Sequence, residues 1–115
     1  MKLKFDIKTV SEANQREHWA IKNSRKKSQQ KAFQAIWRNA KPKVELPATI
    51  IFTRYSCQEL DSDNLAGAFK HTRDQLAKEI GIDDGSELLN FEYRQERIGK
   101  REHYFEVEIL GGKTK

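Results

Sequence analysis

The hydrophobic residues of this chain change period along its length, and that change limits the folds open to it. Residues 2–9 alternate strictly, with Leu3, Phe5 and Ile7 on one side and Lys2, Lys4, Asp6 and Lys8 on the other. Strand side chains point alternately to opposite faces, so this run reads as a half-buried strand. Ser11 to Arg16 is polar and turn-like. Phe33, Ile36, Trp37 and Ala40 then recur at i, i+3, i+4 and i+7, the spacing of one helix face. Trp19 joins that stripe if one helix runs from about residue 17 to 40. A break near Asn23-Ser24, with either residue capping a second helix, satisfies the pattern equally well. Pro42 ends the helix, because the residue before a proline avoids helical geometry.

Val44 to Thr53 is β-rich, with Pro47 at an edge or at the lead-in to a strand. Residues 54–63 read as a polar loop. A helix is predicted from about Asn64 to Ile80, with Leu65, Phe69, Leu76 and Ile80 on its buried stripe, Thr72 between them, and Gly81 as its C-cap. IDDGSE is a turn. Leu89, Phe91 and Tyr93 alternate with Asn90, Glu92 and Arg94, and Phe105, Val107 and Ile109 alternate with Glu106 and Glu108. Joined through Ile98-Gly99-Lys100, these two runs predict a β-hairpin. The expected order is β-α-β-α-β-β. It describes a single α+β domain, about four mostly antiparallel strands with two main helices packed on the sheet. At 115 residues there is room for one domain, residues 1–110, with 111–115 as a flexible tail.

The charge is unevenly distributed. The chain carries 22 Lys and Arg against 17 Asp and Glu, a net +5. Residues 1–57 hold 13 basic and 4 acidic side chains, and residues 58–115 hold 9 and 13. Between Ser11 and Lys43 only Glu12 and Glu17 oppose a basic run that also includes Lys41 and Lys43. Such an array follows a phosphate backbone, and the plain alternative is a solvated surface. The candidate DNA-binding set is Arg16, His18, Lys22, Arg25, Lys26, Lys27, Lys31 and Arg38, with Lys100 and Arg101 at the hairpin tip. On a helix, Lys27, Lys31 and Arg38 share one side, away from much of the Phe33/Trp37 stripe. Cys57 is the single cysteine, which excludes an intrachain disulfide, and no Cys/His array predicts structural zinc. KLKFDIKTV has no apolar signal core, and no stretch approaches the roughly 20 apolar residues of a membrane span. The expectation is a cytoplasmic protein without a membrane partner.

DSDN, Asp61 to Asn64, stands at the entrance of the second predicted helix. Two aspartates two residues apart in an extended segment share a face. They repel unless a hard cation sits between them, and Mg²⁺ is held by a few carboxylates and water. Asp61 as a plain N-cap with an incidental second aspartate is the structural alternative. A calcium-hand loop is excluded, because its fifth, sixth and twelfth positions are Leu65, Ala66 and Thr72. Asp83-Asp84 follows the helix. About 17 residues, roughly 25 Å of helix, separate the two pairs, so they meet only if the chain folds back or a second subunit brings them together.

LDSDNLAGAFKHTRDQL followed by GIDDGSELLNFEYRQE resembles the RusA-like endodeoxyribonucleases, Holliday-junction resolvases of phage and prophage type. Their signature is D-x-D-N-L-x-K opening a helix, then a DD pair and a strand. NQREHWAIKNSRKK is similar to the N-x-R-x-H-W segment of phage members. The resemblance covers residues 3–109. It implies a homodimeric metal-dependent endodeoxyribonuclease, using Mg²⁺ or Mn²⁺, that binds branched double-stranded DNA. Such an enzyme nicks four-way junctions in recombination and repair, in a bacterial host cytoplasm. By position it implies Asp61 and Asp63 as metal-binding catalytic aspartates, Asn64 as the motif asparagine, and Asp84 as the third carboxylate, with Asp83 as the alternative. The motif lysine falls on Gly67. Lys70, at i+3 and leaning back toward the motif, is the expected substitute; a plain surface pair with Asp74 is the alternative. Without that lysine the chain would be a weak nuclease, or a junction-binding accessory protein without catalysis.

Overall fold

The run Ile50-Ile51-Phe52 lies in an interior strand of the sheet and is buried throughout, as suits consecutive apolar residues on a strand shielded on both faces. The structure is a computed structural model that describes residues 2–7, 19–83, 85–99 and 103–111, the side chains of Trp19 and Lys22 excepted. Its elements are β1 (Lys2–Phe5), α1 (Trp19–Ala40), β2 (Ala48–Ser56), α2 (Ser62–Ala68), α3 (Lys70–Ile80), β3 (Leu89–Arg97) and β4 (Tyr104–Gly111). They make one α+β unit whose sheet runs β1-β4-β2-β3. β1 with β4 and β4 with β2 are antiparallel, and β2 with β3 is parallel.

The expected β3–β4 hairpin does not form. β2 lies between them, pairing all nine of its residues with β3 and eight with β4. β3 is instead followed by Ile98 at the end of β2, where the Ile98 N–H donates to the Ser56 carbonyl at 2.9 Å. β2 also runs on through Arg54, Tyr55 and Ser56, where the sequence predicts a loop, because β3 supplies ladder partners as far as Ser56 and β4 as far as Tyr55. Pro47 sits immediately before β2, where its missing N–H costs no ladder bond. β1 stops at Phe5, short of the strand expected to residue 9, and residues 8 and 9 lie outside the described set.

α1 is continuous through Asn23-Ser24, which removes the two-helix option. It ends with Lys41 in the left-handed region at φ 49° and with Pro42 behind it. The predicted helix over 64–80 is two helices, hinged at Phe69, whose φ and ψ are −99° and 4°. The physical reason is core placement. The Phe69 ring is fully buried, 4.8 Å from Phe52 and edge-on to Phe105 at 5.2 Å between centroids. α3 closes on Gly81 at φ 92°, as the sequence predicts. Gly111 belongs to β4 and not to a loose tail. A Cβ there would meet the Glu45 carbonyl at 2.7 Å.

All three helices cover one face of the sheet. Leu3 and Phe5 of β1, Phe105, Val107 and Ile109 of β4, Ala48, Ile50 and Phe52 of β2, and Leu89, Phe91 and Tyr93 of β3 share that inner face by register. Phe5 stacks between Phe33 (4.5 Å) and Phe105 (5.1 Å), which ties α1 to the sheet. Each such side chain contributes about 2–3 kcal/mol of burial. The outer face is charge-compensated within the chain: Lys2 and Lys4 lie opposite Glu108 and Glu106, and Arg94 pairs with Glu92. There the Tyr55 hydroxyl donates to Glu106 at 2.6 Å, and that bond, with burial and neighbouring charges, pushes its pKa up to about 12. No helix among the described residues is long and apolar enough to cross a membrane.

Candidate active site

Asp61 and Asp63 stand where the chain leaves β2 and enters α2. Asp61 is the N-cap: its backbone is extended and its Oδ1 accepts the Asn64 N–H at 2.9 Å. That is the capping role foreseen as the plain alternative, and it leaves the second carboxylate oxygen outside the cap bond. Asp63, in the first turn of α2, is exposed and makes no hydrogen bond or ion pair with another described side chain. Asn64 contributes its backbone N–H to the cap. The turn before Asp61 is held from the sheet. The Gln95 amide accepts from the Leu60 N–H at 2.9 Å and donates to the Leu60 carbonyl at 2.6 Å. Arg54 Nη1 donates to the Gln58 carbonyl at 2.7 Å.

Asp83, the first of the second acidic pair, follows the far end of α3, an 11-residue helix of about 16 Å. Asp83 is exposed and closes an Asx turn, accepting the Gly85 N–H at 3.2 Å, beside a groove lined by Lys26, Gln30, Asp74 and Lys78. Asp84 lies outside the described residues. Among the described residues no three His, Cys, Asp or Glu side chains are placed to hold a metal ion together, so Asp83 does not join Asp61 and Asp63 in such a group. The two carboxylates of the DSDN turn are hard oxygen donors of the kind that hold Mg²⁺ or Mn²⁺ singly or in pairs, with water and substrate phosphate completing the shell. In that limited sense the residues fit the ion.

Lys70 is exposed as the first residue of α3. The hinge at Phe69 puts it on a new helix, so the i+3 relation to Gly67 within one helix does not hold. Lys70 makes no ion pair with Asp74 either; both residues lie among those described. Nothing lies within 4 Å of a Cβ built on Gly67.

α1 carries Lys22, Arg25, Lys26, Lys27, Lys31 and Arg38 and no acidic residue. Lys26, Lys27 and Lys31 are exposed. Arg38 instead binds Glu79 of α3, with Nε to Oε1 at 3.0 Å, and locks the two helices together. Gln30 Nε2 donates to the His71 carbonyl at 3.2 Å, so this basic helix lies against the start of α3, next to Lys70. Arg16, His18, Lys100 and Arg101, and the side chain of Lys22, lie outside what the structure describes.

One group of residues was not legible as a site. The inner face of the sheet is apolar up to Phe52 and Tyr93 and then turns polar on its last rungs. Arg54 and Ser56 of β2 register with Gln95 and Arg97 of β3, and Arg54 also registers with Phe105, two residues after His103. Arg54 and Ser56 are 7% and 2% exposed. Burial draws the Arg54 guanidinium below its ordinary pKa, with Cys57 acting in the opposite direction. Ser56 Oγ and His103 Nδ1 are 2.9 Å apart. The signal for this group was the same period of two, continued past the last apolar residue.

No protein-family model matches the chain, and neither a curated protein nor a solved structure matches it.

Proposed function

We propose that the protein is a metal-dependent, structure-selective endodeoxyribonuclease acting on four-way DNA junctions. The observation that carries this reading is the joining of two unlike charges on adjacent elements. An acid-free basic helix, α1, is hydrogen-bonded to the start of α3, and α3 follows directly on α2, which bears Asp61 and Asp63. In this reading the exposed lysines of α1 hold the phosphate backbone, an interaction that weakens steeply with salt. Asp61 and Asp63 would hold Mg²⁺ or Mn²⁺, which when bound supplies charge neutralisation at the scissile phosphate and a water of lowered pKa. Gln95 and the cap bond keep the two carboxylates at a fixed place relative to the sheet. Lys70 is the nearest lysine in sequence to the motif and would face the same backbone. A homodimer, in which each copy addresses one strand of the junction, and a bacterial cytoplasm, where Cys57 stays a thiol, belong to the same proposal.

A second reading is favoured by a specific observation: no third carboxylate joins the pair among the described residues, and Gly67 stands where the motif that the sequence resembles has lysine. It is a junction-binding accessory protein without catalysis. A labelled four-way junction, incubated with Mg²⁺, with Mn²⁺ and with EDTA, separates the two. The nuclease reading expects symmetric nicks with either metal, loss of nicking in Asp63→Asn, and unchanged binding by that variant. Binding without nicks in either metal leaves the accessory reading, and equal nicking by wild type and Asp63→Asn overturns the site.

A further inference from the structure

We infer that the polar end of the inner sheet face is a phosphate-binding floor, on which Arg97 and His103 contact a DNA phosphodiester while Arg54 and Gln95 hold the adjoining turn. The inference deepens the nuclease reading and rests on it for the identity of the anion.

Positions that face packed helices are apolar, because a polar group there loses water and must find partners. In this sheet two strands abandon that rule together: β2 changes from Phe52 to Arg54 and Ser56 and β3 from Tyr93 to Gln95 and Arg97, and His103, immediately before β4 and two residues from Phe105, joins them through Ser56. A single polar residue at a strand end is ordinary fraying. Five of them meeting on one face, two of them nine-tenths buried, form a built surface.

The floor lies at the carboxyl ends of the parallel pair β2 and β3, outside which ligands bind in open α/β sheets. The chain that leaves β2 there is the turn bearing Asp61 and Asp63.

Arg54 and Gln95 are committed to the Gln58 and Leu60 backbone, so they position the turn. Arg97 is exposed and makes no ion pair with a described residue, although Glu92 and Glu96 lie on its own strand. His103 uses Nδ1 toward Ser56, which fixes the ring and leaves Nε2 for a ligand. A guanidinium and an imidazole suit a phosphodiester: Arg97 takes its oxygens through a planar fork, and with Nδ1 accepting from the Ser56 hydroxyl the His103 Nε2–H donates to one of them.

The test uses a charge-matched pair on one strand. Arg97 and Arg94 both lie on β3 but point to opposite faces. Binding of a fluorescein-labelled four-way junction is measured by anisotropy in EDTA over roughly 50–200 mM salt. Thermal unfolding checks that each variant is folded. Arg97→Gln is expected to weaken binding roughly tenfold and to reduce the salt slope by about 0.9, the loss of one phosphate contact. Arg97→Lys should recover part of both, and His103→Gln, which retains a hydrogen bond for Ser56, should weaken binding severalfold. Arg94→Gln should change neither quantity. If Lys27→Gln and Lys31→Gln weaken binding while Arg97→Gln and His103→Gln do not, the floor is overturned and the DNA reading stands. Equal losses in Arg94→Gln and Arg97→Gln also overturn the floor, because they assign the effect to net charge. A folded wild-type protein that does not bind the junction overturns the DNA reading and the floor with it.

Discussion

Glu79 and Asp63 are both carboxylates of the α2–α3 crossover, and their surroundings are opposite. The Glu79 side chain is 8% exposed and receives Arg38, Gln75 and Gln34, at 3.0, 2.8 and 3.5 Å for the shortest contact of each. Burial raises its pKa. The hydrogen bonds from Arg38, Gln75 and Gln34, with the Arg38 charge, outweigh burial and leave the group below its ordinary value. Asp63 is exposed, and no described side chain bonds it. A carboxylate whose oxygens are taken by neighbours holds helices together. One whose oxygens are open has only a ligand or water to bind. Composition counts the two alike.

The largest expected effect breaks the closed half of this comparison. Glu79→Ala removes the link between α1 and α3 and leaves Gln75, itself buried, without its acceptor. The expected cost is about 2–3 kcal/mol, read as a lower urea midpoint. The pH dependence has a definite sign. The folded pKa of Glu79 lies below the ordinary 4.5. Its ionised form therefore stabilises fully above about pH 4.5, and that contribution is lost as pH falls through the lowered folded value. Glu79→Gln should lack this acid-sensitive component. A variant as stable as wild type would mean that the cluster is ornamental and that the contrast with Asp63 teaches nothing.

A smaller effect separates the two aspartates of the DSDN turn. Asp61→Ala removes an N-cap and should cost about 1 kcal/mol. Asp63→Ala touches no described partner and should stay within about 0.5 kcal/mol of wild type. Both variants should lose metal-dependent nicking. Urea titrations of the two beside the junction assay sharpen the comparison, because Asp61 joins a structural bond to an open oxygen while Asp63 has only open ones. Equal stability losses would assign Asp63 a structural bond as well.

These contrasts also mark how far the sequence could be read. Leu65, Phe69, Thr72 and Leu76 are buried and Ile80 partly so, as helical spacing predicts, because that spacing reports which side of a helix meets the core. The hinge within that stripe was not legible, since it follows from where the Phe69 ring fits among Phe52, Tyr93 and Phe105. The alternation of Leu89 to Tyr93 and of Phe105 to Ile109 gave two strands correctly but not their neighbours. Period two says which face a residue takes and nothing about which strand lies beside it. Proximity in sequence favoured a hairpin, and the apolar Ile50-Ile51-Phe52 run, better suited to a central strand, inserted β2 instead. At the site, the two aspartates were legible as carboxylates at a helix entrance, but the shared face of an extended segment was not realised: only Asp61 is extended, and Asp63 lies in the first turn of α2, which starts two residues earlier than the helical spacing predicts. Arg54, Gln95 and His103 meet only through strand pairing, with Gln95 bonding to Leu60 across 35 residues.

The smallest expected effect on stability carries the most information about catalysis. Gly67 lies four residues after Asp63 in α2, so a lysine there would stand beside that carboxylate on the same helix face. A Cβ at this position meets nothing within 4 Å, and Gly67 is not among the residues of positive φ. Gly67→Lys should therefore be tolerated, and it should stabilise by about 0.5 kcal/mol through helix propensity, lessened because the position is near the end of α2. If Asp61 and Asp63 hold a metal at a scissile phosphate, the added ammonium also neutralises charge that builds there, and junction nicking should rise at least about tenfold over wild type. A rise that depends on Asp63 places the open carboxylate in a catalytic site that this chain left one cation short. A folded variant that binds the junction yet nicks no faster points to a turn lacking more than a lysine, and Asp61 and Asp63 then belong with the binding surface alone.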